Sequence, residues 1–113
     1  MKLIFPWFLK ELKPNHSSHF MQKAKAKAIY RAECARITQE ALETQDVDRE
    51  SKELQFTFYK PNKRHMDADN MLAAMKSGID GMCDALAVND KQFKRIVIEV
   101  AEDIGGYVIV KII

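Results

Sequence analysis

The segment ELQFTFYK, residues 53–60, decides the fold because it is the clearest strand in the chain. Its apolar residues Leu54, Phe56 and Phe58 alternate with polar neighbours, and this period of two predicts one buried face. A segment with helical spacing follows at about residues 70–87, and FKRIVIEVAED at residues 93–103 predicts a second strand. The connection is long enough for a right-handed crossover, so the two strands are expected to run parallel.

Three further elements complete the predicted order. MKLIFPWFL at residues 1–9 predicts a first strand, and YVIVKII at residues 107–113 predicts a last one. A helix is predicted from about Phe20 to about Thr44, with Ser18 as its amino-terminal cap. The pair Gly105-Gly106 predicts a hairpin between the last two strands.

The order β-α-β-α-β-β indicates an α/β (α+β) fold, with a mixed four-stranded sheet packed against two helices. A chain of 113 residues is the length of one ordinary domain, so residues 1–113 are expected to form a single domain. The apolar amino terminus is interrupted by Pro6 and is too short to span a bilayer, which predicts a cytoplasmic protein without a membrane partner. Cys34 and Cys83 lack the close spacing of a redox or zinc motif, so they are expected to be reduced packing residues.

The two predicted helices carry patterned surfaces. In the first, small apolar residues at spacings of three and four predict the face toward the sheet: Met21, Ala24, Ala28, Ala32 and Ala35. In the second, a large apolar sector predicts the core contact: Met71, Leu72, Met75, Ile79, Met82 and Leu86. A separate stripe of that helix has almost no side chain: Ala74, Gly78, Gly81 and Ala85. Because each glycine inside a helix costs about 1 kcal/mol relative to alanine, this small stripe predicts a close contact with another helix.

The segment HMDADN, residues 65–70, places two acids two positions apart, directly after a run of positive charge. In an extended segment Asp67 and Asp69 would point the same way, and such a pair suits a hard cation such as Mg²⁺ or Mn²⁺. Asp90 is a third candidate ligand, and together the acids indicate metal-assisted phosphodiester hydrolysis. The alternative is an ordinary solvated pair in which Asp69 caps the helix, as DVD at residues 46–48 is assigned to a polar linker.

With this context, DADN at residues 67–70, AAMKSGIDGM, DAL and VNDKQF resemble the RusA family of Holliday-junction resolvases, in particular its phage-type members. The resemblance covers about residues 56–99. It implies a small homodimeric, Mg²⁺-dependent endonuclease, with Mn²⁺ as a substitute ion, that binds four-way DNA junctions and cuts two strands symmetrically. Carried over by motif, the catalytic metal ligands are Asp67, Asp69 and Asp90, with Asn70 completing the signature. The resemblance also places the protein in the cytoplasm of a bacterial or phage-infected cell.

One position departs from the family pattern. The family's helix lysine comes three residues sooner, where this chain has Ala73. Lys76 keeps the family's spacing to Asp80, so a three-residue insertion explains the shift, and Lys76 is the expected catalytic lysine. Lys91 is the substitute candidate for that role.

Two groups of basic residues are expected to contact DNA: Lys60, Lys63, Arg64 and His65 beside the acids, and Lys91, Lys94 and Arg95 beyond the second helix. The net charge is only +2, so DNA affinity has to come from such clusters and not from bulk charge. Ordinary solvated surface is the alternative for each of these residues. Two other functions stay open, namely a non-catalytic branched-DNA-binding module and a nuclease for flaps or other branched DNA.

The predicted second helix raises a geometric question. An unbroken helix of about eighteen residues is about 27 Å long, so Asp69 and Asp90 of one chain could lie at opposite ends. Either the chain bends back at the glycines, or two subunits pack antiparallel along Ala74, Gly78, Gly81 and Ala85 and pair the acids of one chain with Asp90 of the other.

Overall fold

The computed structural model describes residues 1–113 and confirms the predicted fold class. The elements in chain order are β1 (Lys2–Pro6), α1 (Phe20–Ala41), β2 (Glu53–Tyr59), α2 (Ala68–Ala74), α3 (Lys76–Leu86), β3 (Arg95–Val100) and β4 (Tyr107–Ile112), with short 3-10 turns at Lys10–Leu12 and Asp90–Gln92. The strands form one mixed sheet in the order β1-β4-β2-β3. No helix is long and apolar enough to cross a bilayer.

The parallel pairing of β2 with β3 confirms the predicted crossover. Leu54 lies opposite Ile96 and Phe56 lies opposite Ile98 in a parallel register. The chain therefore leaves β2 at its carboxyl end, passes through α2 and α3, and returns to the amino end of the neighbouring strand.

The predicted hairpin between the last two strands is wrong, because β2 lies between them. β4 pairs antiparallel with β2 on one side and with β1 on the other. The amides of Gly105 and Gly106 donate to the carbonyls of Lys60 and Tyr59, so the glycine turn contacts the end of β2. Since β3 occupies one edge of β2 through the crossover, β4 pairs with the other edge.

The core lies on one face of the sheet, beneath the helices. The strand residues that point into it are all buried: Leu3, Phe5, Leu54, Phe56, Phe58, Val108, Val110 and Ile112. Met71, Met75, Met82 and Leu86 of the second helical segment join the same cluster, as the apolar sector predicts. On the opposite face of β1, Ile4 is 54% exposed, which shows that this face is not covered.

Helix α1 buries a different face from the predicted one. Its buried residues recur at spacings of four: Ala26, Tyr30, Cys34 and Thr38. Met21, Ala24, Ala28 and Ala32 are exposed. Tyr30 sets the register because its ring is buried and its hydroxyl donates to the Pro6 carbonyl at 2.6 Å. His19, not Ser18, caps this helix, with its Nδ1 accepting the Met21 amide at 3.2 Å.

The second predicted helix is two helices, interrupted at Met75 and not at the glycines. After α3 the chain reverses at Ala87, a non-glycine residue in the left-handed conformation with φ of 57°. Its amide donates to the Asp84 carbonyl at 3.3 Å. This reversal returns the following segment toward the start of α3.

The small stripe contacts α1 of the same chain, so the predicted dimer interface along Ala74, Gly78, Gly81 and Ala85 is wrong. A Cβ atom on Gly81 would lie 2.0 Å from the Arg31 carbonyl oxygen, and one on Gly78 would lie 2.6 Å from the Tyr30 ring. Arg31 also donates two hydrogen bonds to Asp84, at 2.7 and 2.9 Å, across the same helix pair. The close contact that the glycines predict is therefore within one chain.

We expect Gly81→Ala to lower the free energy of unfolding by about 1–3 kcal/mol, because the new methyl group meets rigid backbone. Alanine's higher helix propensity alone would raise the free energy of unfolding by about 1 kcal/mol. A decrease in this free energy would therefore indicate the steric contact. Ala32→Leu on the exposed side of α1 is the control and should change it by less than about 0.5 kcal/mol. Urea denaturation of both variants provides the measurement, and a stabilised Gly81→Ala variant would contradict the α1–α3 contact.

Candidate functional site

Asp69 and Asp90 of the same chain line one surface hollow of about 440 Å³, here called the acidic hollow. Asp69 comes from the first turn of α2, and Asp90 begins the 3-10 turn that precedes β3. Lys76 at the start of α3 lies between these elements and lines the hollow with them. The remaining wall is largely apolar: Leu54, Leu72, Ala73, Ile79, Phe93 and Ile96. A second subunit is therefore not needed for the two acids to face one hollow.

Lys76 is the cation of the acidic hollow. Its Nζ donates to Asp90 Oδ2 at 2.6 Å and to Asp80 Oδ1 at 2.9 Å. Lys76 therefore bridges Asp80, four residues along the same helix, and Asp90 beyond its end. The hydrogen bond from Lys76 lowers the pKa of Asp90, and the hydrogen bonds to Asp90 and Asp80 raise the pKa of Lys76. Lys76 therefore holds Asp90 in its ionised form.

Asp67 lies outside this hollow. It occupies the amino-terminal cap position of α2, without a side-chain capping bond, and its Oδ1 lies 2.8 Å from His65 Nε2. The prediction that Asp69 caps the helix is wrong, because the helix begins at Ala68 and Asp69 lies in its first turn. The two aspartates consequently do not share one extended segment.

The donor chemistry of the acidic hollow fits a hard divalent cation. Carboxylate oxygens are the ligands that Mg²⁺ and Mn²⁺ prefer, and Mg²⁺ commonly takes one or two carboxylates while water and phosphate oxygens complete its shell. Asp69 and Asp90 supply two such groups. No set of three His, Cys, Asp or Glu side chains lies close enough together to form a complete metal site. A bound ion would therefore need further oxygen ligands besides these two carboxylates, which water or a phosphate can supply.

Several predicted DNA-binding residues lie in a second hollow of about 230 Å³, here called the basic hollow. Its walls include Lys60, Arg64 and His65 from the predicted group, while Lys63 is exposed on the same turn. The other lining residues are Trp7, Lys13, Asn15, Pro61, Asn62, Met66 and Asn70.

The second predicted basic group has no common hollow. Lys91 and Lys94 are exposed, and neither forms an ion pair. Arg95 pairs with Glu53 at 2.7 Å on the open face of the sheet. Because the Arg95 side chain is 73% exposed, this pair does not prevent Arg95 from contacting another anion.

Sequence reasoning missed Lys13 and Asn15. The signal that could have identified them is a repeated tripeptide, since KPN occurs at residues 13–15 and again at residues 60–62. Both copies contribute to the basic hollow.

The remaining candidates have structural roles. His16 contacts the Ser18 hydroxyl and His19 caps α1, so both histidines belong to the polar turn before that helix. Cys34 and Cys83 are free and buried, as predicted. Burial raises the pKa of Cys34 to about 12 and that of Cys83 to about 11, so both remain thiols near neutral pH.

The chain is similar to a bacterial protein whose name assigns no function. No family model matches the chain. An uncharacterized protein from Xylella fastidiosa is 33% identical over 93 residues, which cover 80% of this chain and 61% of the relative. The chain thus spans 61% of the length of the curated relative that it matches. Neither finding assigns an activity, so the resemblance to the RusA family remains a prediction.

We expect Lys76→Met to raise the pKa of Asp90 toward its ordinary value, because the hydrogen-bonded cation that favours the ionised carboxylate is lost. A carboxylate with a lowered pKa stabilises the fold above its unfolded-state pKa, and this contribution is lost as the pH falls through the folded-state pKa. The variant should therefore lose less stability on acidification than the parent. Carboxyl ¹³C NMR titration without divalent ions provides the measurement.

The control is Lys94→Met, which removes an exposed lysine that makes no ion pair. Its Asp90 titration should match that of the parent. An unchanged Asp90 pKa in Lys76→Met would show that the 2.6 Å contact is not populated in solution.

Proposed function

We propose that this protein is a Mg²⁺-dependent endodeoxyribonuclease that resolves four-way DNA junctions by hydrolysing phosphodiester bonds in two strands. The observation that carries the proposal is the acidic hollow, where Asp69, Lys76 and Asp90 of one chain face the same space. The sequence resemblance to the RusA family assigns a role to all three positions. The adjacent basic hollow supports a polyanionic substrate.

In this proposal Asp69 and Asp90 hold the divalent ion, which Mn²⁺ can replace, and Asp67, which lies outside the hollow, is the third candidate ligand. The ion, when bound, supplies positive charge to the phosphodiester and lowers the pKa of an attacking water. Asp90 already carries a cation partner in Lys76, so ion binding requires Lys76 to share or release that carboxylate. A released Lys76 ammonium group would lie beside the phosphate and stabilise its developing negative charge.

Lys76 is a better candidate than Lys91 for this electrostatic role. The Lys76 ammonium group contacts Asp90 directly, at 2.6 Å. Lys91 lies beside Asp90 in the chain, and its side chain makes no hydrogen bond, although its charge also lowers the pKa of Asp90. We therefore propose Lys76 as the catalytic lysine and Lys91 as a DNA contact, together with Lys94 and Arg95.

The proposal includes a homodimer, because a two-fold symmetric junction that is cut in two strands requires two sites. The subunit contact has to lie away from the small stripe, which α1 occupies. We place the activity in the cytoplasm of a bacterial or phage-infected cell, where such junctions arise.

A second candidate function is a non-catalytic module that binds branched DNA. The engagement of Asp90 by Lys76 favours it, because this pair already neutralises a carboxylate that a metal would need. The lack of a preformed three-ligand group also favours it. Such a module would form a junction complex without cutting it in the presence of Mg²⁺.

We expect the protein to cut a four-way junction in Mg²⁺ and not in EDTA, and Asp69→Asn to reduce the cleavage rate at least about 100-fold. Removing a carboxylate that binds the ion should lower the cleavage rate at least as much as removing a group that only orients such a ligand. A labelled junction, a flap and a linear duplex, resolved on denaturing gels, provide the measurement. Preference for the flap would reassign the substrate and retain the chemistry.

Asp46→Asn is the matched control, since Asp46 belongs to the other D-x-D pair of the chain, is exposed and forms no ion pair. Its cleavage rate should equal that of the parent. Binding of the junction without cleavage in either Mg²⁺ or Mn²⁺ would instead identify the protein as the non-catalytic module.

A further inference from the structure

The basic hollow joins two loops that are far apart in sequence. One loop follows β1 and contains Lys13-Pro14-Asn15, and the other follows β2 and contains Lys60-Pro61-Asn62. β4 is antiparallel to both strands, so β1 and β2 run in the same direction. Both loops therefore begin at the same end of the sheet, where the carboxyl ends of β1 and β2 lie. The two KPN turns meet there and line one hollow.

The charges of this hollow have no acidic counterpart within it. No Asp or Glu is among its lining residues. Neither Lys13 nor Arg64 takes part in an ion pair, and the Lys60 ammonium group donates only to the Arg64 carbonyl at 3.2 Å. Three uncompensated cations around one concave surface attract an anion and form charge-assisted hydrogen bonds to its oxygens.

Neutral donors complement these cations. Asn15, Asn62 and Asn70 are among the lining residues, and each carries a side-chain amide. Asn62 Oδ1 accepts the Arg64 backbone amide at 2.9 Å, so the Asn62 amino group is free to donate to a ligand. Cations combined with amide donors are the side chains that typically hold DNA backbone phosphates.

The basic hollow adjoins the acidic hollow across one helix turn. Asn70 lines the basic hollow, while its neighbour Asp69 lines the acidic hollow. Both residues belong to the first turn of α2. Each DNA strand has one phosphate per about 3.4 Å of helix axis. If one phosphate lies beside Asp69 and Asp90, a neighbouring phosphate of the same strand would therefore lie near the basic hollow.

We propose that the basic hollow binds a DNA backbone phosphate that flanks the cut, and that Lys13 and Asn15 from the loop after β1 are ligands of that phosphate. The proposal rests on the proposed function for the identity of the anion. It gives the loop after β1 a role in DNA binding, together with the predicted residues Lys60, Arg64 and His65. Lys13 is its most informative member, because its side chain has no other polar partner.

Trp7 provides a direct readout of the hollow. It is the only tryptophan of the chain and it lines the hollow. Its ring packs edge-on against Phe58, with ring centroids 6.0 Å apart, so the core holds it in place. Occupation of the hollow should therefore change Trp7 fluorescence without any need for cleavage.

The experiment titrates the protein with a four-way junction in EDTA, following Trp7 emission and, in parallel, the anisotropy of a labelled junction at several salt concentrations. We expect the junction to change Trp7 emission in a saturable way. Lys13→Ala should weaken binding several-fold and reduce the slope of log K against log salt by about one, since one phosphate contact is lost. Lys25→Ala, an exposed lysine of α1 outside the hollow, removes the same charge and should leave the slope unchanged.

Two outcomes would overturn the proposal. One is a parent-like salt slope for Lys13→Ala together with Trp7 emission that does not respond to bound junction. The other is a saturable Trp7 response to inorganic phosphate that the junction does not reproduce, which would make the hollow a site for free phosphate. Circular dichroism of each variant checks folding, and Lys13→Gln repeats the test with a longer side chain.

Cleavage in Mg²⁺, measured separately, distinguishes this proposal from the proposed function. A Trp7 response and a Lys13-dependent slope without cleavage would support the phosphate site and contradict the nuclease. Cleavage without either of those signals would support the nuclease and contradict the phosphate site.

Discussion

The parallel pairing of β2 with β3 is the constraint on which the rest of the structure depends. Parallel neighbours cannot be joined by a tight turn, so the chain crosses the buried face of the sheet through α2 and α3 and then reverses at Ala87. That path brings Asp90 back beside Lys76, with Asp69 on the same hollow. The candidate chemistry is thus a consequence of the crossover, and it requires residues from one chain only.

Local sequence patterns predicted most helices and strands, whereas contacts between distant segments determine the strand order and the buried face of α1. The alternation of Leu54, Phe56 and Phe58 predicted β2 correctly, because burial on one face imposes a period of two. The glycine turn before β4 is compatible with a hairpin, yet β3 pairs with one side of β2 and β4 pairs with the other side. The buried face of α1 follows from the single large residue Tyr30, which outweighs a stripe of small alanines.

The candidate site was predictable in its residues and not in its arrangement. Asp69, Lys76 and Asp90 were identified from spacing and resemblance, and they share a hollow. The reversal that unites them occurs at Ala87, a residue whose left-handed conformation has no signal in the sequence. The small stripe was correctly associated with close helix contact, but its partner lies in the same chain. Lys13 and Asn15 were missed although the repeated KPN tripeptide marks them in the sequence, because only the fold brings the two turns together.

The most direct test of the account is paramagnetic line broadening by Mn²⁺ in the ¹H-¹⁵N NMR spectrum of the protein without DNA. A bound ion in the acidic hollow should broaden the amides of Asp69 and Asp90 together at substoichiometric Mn²⁺, and Asp69→Asn should reduce the broadening at both. Broadening confined to one of these residues, or centred on the linker acids Asp46 and Asp48, would contradict the claim that the crossover of one chain builds the metal site.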